Sequence, residues 1–140
     1  MSLYIKIQTV DHLDQKYNTI GDYDLISSPY LADFAINIRV SKLGDWRKEL
    51  LVAIHELVES AIALKIKGIK NEDITAFDEK FEEETERGEH LKDAEPGDDP
   101  RAPYYREHGI ATTVEYGLLP HLELSESDYE QSMMDLWRPE

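Results

Sequence analysis

The stretch Leu50-Leu51-Val52-Ala53-Ile54-His55-Glu56-Leu57-Val58-Glu59-Ser60-Ala61-Ile62 constrains this chain more than any other. It contains no Gly or Pro, and apolar residues recur at 50, 54, 57, 58, 61 and 62, the spacing of a helix with a broad apolar face. His and Glu interrupt it in the middle. At about 100° per residue, with His55 at the origin, Glu59 falls near 40° and Glu56 near 100°. Lys48, Val52, Ser60 and Ala63 fill the same sector, while Leu50, Ile54, Leu57, Val58 and Ala61 lie opposite. One reading is a buried apolar face backed by a wet His/Glu stripe. The other is a row of ligand-type side chains aimed at an ion.

The length of 140 residues suits one domain, 1–140, with a single modest core. A composition of 41% hydrophobic and 32% charged residues is that of a globular chain. No run approaches the roughly 18 apolar residues of a membrane span, and no signal peptide is evident, so no membrane role is expected and the cytoplasm is the expected location. There is no cysteine, which excludes disulfides and thiolate zinc sites and leaves His and carboxylates as the metal ligands. The net charge of −15 leaves no basic face for phosphates, so nucleic acid is not an expected partner.

Residues 3–10 alternate, with Leu3, Ile5 and Ile7 on one face, and predict a half-buried strand. Gly21-Asp22 leads into a weak strand near 23–26, broken by Ser27-Ser28-Pro29. Residues 35–41 alternate again with Ile36, Ile38 and Val40 inward. Three short strands ahead of a helix predict an α+β fold: a small antiparallel sheet packed on the helix. That helix is expected to start near Gly44-Asp45, with Asp45 as its cap, and to stop at Gly68. A second helix, about 72–87, has Ile74, Phe77 and Phe81 as its stripe, and its acids Glu82, Glu83, Glu84 and Glu86 read as a solvated face. The loop 88–103 holds Pro96, Pro100 and Pro103. It is expected to be stiff and to fold over the His55 region, with Asp98 and Asp99 capping the next helix or lining the cleft. A third helix from about Pro103 to before Pro120 places His108, Ala111, Thr112 and Glu115 on one face. A fourth, about 126–137, opens on the capping box Ser127-x-x-Glu130 and reads as a docking helix.

The central stretch resembles the helix motif His-Glu-x-x-His, in which two His a turn apart bind zinc and the Glu acts as general base. Here Glu59 stands at the second ligand position. A catalytic ion needs three protein ligands and an open position for water. His55 and Glu59 supply two, Glu56 is placed as the catalytic base, and His108 is the choice for the third. His12, His90 and His121 compete for that role. A carboxylate at the second position suits zinc first, with manganese or iron as alternatives.

The string His55-Glu56-Leu57-Val58-Glu59, with Asp73-Ile74-Thr75-Ala76-Phe77-Asp78 and Glu95-Pro96-Gly97-Asp98-Asp99-Pro100-Arg101-Ala102-Pro103-Tyr104-Tyr105-Arg106-Glu107-His108, resembles a family of uncharacterised bacteriophage and prophage proteins over roughly residues 3–120. That family brings no assigned activity. Strands followed by a His-Glu-x-x helix are also similar, more loosely, to zincin-like metallopeptidases, which implies a metal-dependent hydrolase acting on a protein or peptide. A metal-binding protein without catalysis is a second expectation. A third is a non-enzymatic phage accessory protein in which His55 and His108 only hydrogen-bond carboxylates. Met133, Met134 and Trp137 are available for an interface; the sequence does not fix an oligomeric state.

Overall fold

The computed structural model describes residues 2–16, 18–26 and 33–137. It is α+β, with strands β1 (Leu3–Val10), β2 (Gly21–Leu25) and β3 (Phe34–Ser41) followed by helices α1 (Trp46–Ser60), α2 (Asn71–Glu86), α3 (Tyr105–Gly117) and α4 (Glu126–Trp137). The expected Ser27-Ser28-Pro29 break lies outside the described residues.

The sheet is mixed rather than antiparallel. Its order is β1-β3-β2, with β3 parallel to β1 (Ile5 beside Ile36, Ile7 beside Ile38) and antiparallel to β2 (Tyr23 beside Ile38). Alternation reports which face a residue occupies but not which strand lies next to it, so the central position of β3 is invisible to it. The position has a physical cause: Ile36, Ile38 and Val40 are fully buried on one face, and Ala35 and Ser41 are buried on the other. Each of those large apolar side chains contributes about 1.5–3 kcal/mol by burial. β1 is left at the edge, while α1 packs chiefly on β3 and β2. Leu3 and Ile7 are accordingly exposed, at 60% and 50%.

α1 begins as the sequence predicts. The Asp45 carboxylate accepts the Arg47 N–H at 2.9 Å, and Glu49 reaches back to accept the Leu43 N–H at 2.8 Å. Past Ser60 the helix widens, so that the Lys67 N–H reaches the Ile62 carbonyl at 2.9 Å, and it ends at Gly68 with φ of +68°. A single widened turn of this kind accommodates a bulge without breaking the helix. α4 is capped by Ser125, whose hydroxyl accepts the Asp128 N–H at 3.2 Å, not by Ser127. No helix among the described residues is long and apolar enough to cross a membrane.

The two faces of α1 exchange the roles that simple amphipathicity gives them. His55, Glu59 and Val52 are only 8%, 4% and 5% exposed, whereas Leu50 on the apolar side is 38% exposed. The reason is α3, which lies along the His/Glu side of α1 and covers it.

Candidate metal centre

Glu59 is the pivot of the cluster under α3. His55 Nε2 lies 3.1 Å from Glu59 Oε2, His108 Nδ1 lies 2.9 Å from the same oxygen, and the two ring nitrogens are 3.2 Å apart. The ring centroids are 4.7 Å apart. The three residues expected as ligands are therefore brought together, from two turns of α1 and the first turn of α3. A tetrahedral ion with bonds of about 2.0–2.1 Å needs its ligand atoms roughly 3.3 Å apart, close to this triangle.

The outer atoms are tied down one by one. His55 Nδ1–H donates to Glu115 Oε1 at 2.7 Å, and Glu115 accepts in turn from the Tyr129 hydroxyl on α4. His108 Nε2–H faces Glu95 Oε2 and Asp98 Oδ1, both at 3.2 Å. The Tyr23 hydroxyl on β2 donates to Glu59 Oε1 at 3.1 Å. With both outer nitrogens donating to carboxylates, the two inner nitrogens and Glu59 Oε2 present three lone pairs to one point. Carboxylates behind metal-bound imidazoles are the usual orienting partners of such ligands.

Positive charge is what this arrangement calls for. Burial opposes charge on His55, but its bonds to Glu115 and Glu59 outweigh that and raise its pKa from 6.5 to about 10. Burial opposes charge on His108 as well, and Asp98, Glu59 and Glu95 carry it to about 12. Glu59 itself is pushed up by burial and, more strongly, pulled down by the two imidazoles. A second proton on each ring is one way to supply the charge; a divalent cation is the other. The donor set of two imidazoles and a carboxylate fits zinc, and the residues present fit the ion.

Glu56, one residue on from His55 along α1, lines the same cavity of about 620 Å³ as His55, Glu59 and His108. Burial, then the neighbouring Glu59, raises its pKa well above the ordinary 4.5. β2 runs close beside it: a Cβ on Gly21 would stand 2.6 Å from Glu56 Oε1. The loop 88–103 does pack on the site. A Cβ on Gly97 would stand 2.3 Å from His108 Nδ1, so the loop backbone rests on the ring itself. Asp98 meets the outer nitrogen of His108 rather than lining the cavity that holds Glu56 and Glu59, and Asp99 caps the loop's own turn through the Arg101 N–H at 2.9 Å and does not cap α3.

The competing histidines are placed apart. His12 bonds Ser41 and Asn18. His90 stacks on Phe81 at 4.1 Å and bonds Glu84 at 2.9 Å, and His121 sits exposed on a short turn after α3. Glu84 corrects the expectation of a solvated acidic face: it is buried and accepts from both His90 and Arg101. Its place at the end of the stripe Ile74, Phe77, Phe81 was the available signal. Glu115, missed as a site residue, lies seven positions beyond His108 on the same helical face. Tyr23 and Tyr129 gave no local signal of their roles. No family model, curated protein or solved structure matches this chain.

Proposed function

We propose that the chain is a zincin-like, metal-dependent hydrolase of peptide bonds, with zinc held by His55, Glu59 and His108. The observation that carries this is the convergence of two imidazole lone pairs and one carboxylate oxygen within 3.2 Å of each other, each backed by a partner on its far side. When bound, zinc would supply Lewis acidity, acidifying a water and polarising a carbonyl. The chain's own residues do the rest. Glu115 and the Glu95–Asp98 pair fix the imidazole tautomers, and Tyr23 holds the second oxygen of Glu59. Glu56, made more basic by burial, takes a proton at its carboxylate from the attacking water and returns it to the leaving amine.

The resemblance of the 95–108 string to phage and prophage proteins is the basis for proposing an origin of that kind, with the cytoplasm as the proposed setting. The raised imidazole pKa values favour a second reading, an ion-paired polar core in a non-enzymatic accessory protein, because protons alone can satisfy it. Glu56→Gln separates the two. With a mixed peptide library as substrate, the variant should keep one zinc per chain and lose hydrolysis. No hydrolysis by the zinc-loaded parent protein would overturn the enzymatic reading.

A further inference from the structure

The cavity in front of the His/Glu triangle is lined very unevenly in charge. Among the described residues that line it, ten are Asp or Glu, and Lys16 is the one Lys or Arg. That lysine is already engaged, 2.6 Å from Asp24 and 3.8 Å from Asp22. A cleft of one sign between low-dielectric walls concentrates ligands of the other sign.

The acids are also ordered in space. On α2, Asp78, Glu79, Glu82 and Glu83 recur at three- and four-residue steps and line one wall. Asp22 and Asp24 on β2 line another but are already paired with Arg39 at 3.1 and 2.6 Å, so the α2 row is the wall open to a cationic ligand; Glu56 and Glu59 lie between the two walls on α1. Carboxylates on successive turns of α2 are about 5.4 Å apart. Side chains on one side of an extended peptide recur about every 6.6 Å, close enough to meet that row. Ile74, Met133 and Trp137 add apolar wall against which the stems of lysine or arginine can lie.

We infer that this cavity takes an extended peptide segment bearing lysine or arginine at alternate positions. The inference rests on the hydrolase reading for its purpose but not for its test. The peptide is held by charge rather than by joining the sheet. β2 is an edge strand whose even-numbered residues bond β3, since the Ser41 N–H reaches the Ile20 carbonyl and the Ile26 N–H the Ala35 carbonyl. Its outward groups at the site are taken locally: the Gly21 carbonyl by the Thr19 hydroxyl at 2.8 Å and the Tyr23 N–H by the Asp22 carboxylate at 2.8 Å.

The test is fluorescence anisotropy of two labelled peptides, alternating Lys-Ala and alternating Glu-Ala, on the zinc-treated full chain at physiological salt, with bound zinc measured on the same samples. The Lys peptide should bind at least tenfold more tightly. The combined change Glu79→Gln, Glu82→Gln, Glu83→Gln should weaken it roughly tenfold, the scale of a few exposed ion pairs. The change Glu72→Gln, Asp73→Asn, Glu86→Gln removes the same charge from the same helix outside the cavity and should weaken it less than about threefold. Equal losses in the two triples would overturn the inference, because net charge alone would then explain the binding. Spermine displacing the peptide at equal ammonium concentration would overturn the peptide assignment. Selective binding by the cavity in protein that takes up no zinc would overturn the metal reading and leave this one standing.

Discussion

Two His–carboxylate clusters share the loop 88–103 in this chain, and they solve opposite problems. Glu84 on α2 accepts from Arg101 at 2.8 Å and from His90 at 2.9 Å, which ties down both ends of the loop 88–103, with Phe77 beneath the Arg101 guanidinium and Phe81 stacked on the His90 ring. The cation is supplied by the protein, and the cluster is closed. Against the middle of the same loop, Glu59, Glu115, Glu95 and Asp98 surround His55 and His108, and no Lys or Arg among the described residues is bonded to any of them. The contrast separates a staple from a site: one holds the loop down, and the other is left short of positive charge where the loop meets α3.

The largest expected effect breaks the comparison outright. His55→Ala or His108→Ala should abolish stoichiometric zinc binding. Glu84→Gln should leave zinc stoichiometry unchanged while lowering the thermal midpoint, because the staple carries no metal. Isothermal titration of zinc with each variant checks both halves. Loss of zinc in Glu84→Gln alone would reverse the assignment. In the parent protein, zinc at about a thousand times its Kd should add about 4 kcal/mol of stability.

A smaller loss is expected from the orienting carboxylate. Glu115→Gln keeps a hydrogen-bond acceptor on the His55 Nδ1–H but removes the charge, and should cost about 10–100-fold in zinc affinity with the stoichiometry retained. Gly97→Ala should have a similar effect by another route, since its Cβ would collide with the His108 ring 2.3 Å away.

The smallest effects lie in pH, and they point in opposite directions for the two clusters. Without metal, His55 and His108 have folded pKa values of about 10 and about 12 against 6.5 unfolded. Their contribution to stability is full below pH 6.5 and is lost as pH rises through 10 towards 12. Glu84 is held at about 2, against an ordinary 4.5, by Arg101 first and His90 second. Its contribution is present above pH 4.5 and lost as pH falls through 2. Denaturation across pH should therefore show an acid limb that Glu84→Gln removes and an alkaline limb that zinc removes. Zinc binding should release protons and tighten as pH rises from about 6 to 9, since each inner nitrogen must shed its proton first.

Much of this was legible in the residues. The cap at Asp45, the four helices and the His55–Glu59 pair follow from periodicity and from the i, i+4 spacing on α1, whereas His108 was one choice among competing histidines that the structure brings to that pair. The order of the sheet was not legible, because a strand pattern fixes faces and not neighbours. The burial of Glu84 was half legible, hidden by the run of acids around it although it continues the apolar stripe of α2. Glu115 stood on the right face of α3, yet its bond to His55 depends on how α3 crosses α1, which neither helix states alone. Tyr23 and Tyr129 reach the cluster from β2 and α4, and contacts of that range leave no local trace.

The most direct measurement is anomalous diffraction at the zinc edge from crystals of tag-free protein grown with equimolar zinc. The account predicts one peak, about 2.0–2.2 Å from His55 Nε2, His108 Nδ1 and Glu59 Oε2. A structure with that triangle holding no anomalous scatterer, or with the peak at Glu84 and His90 instead, would contradict it.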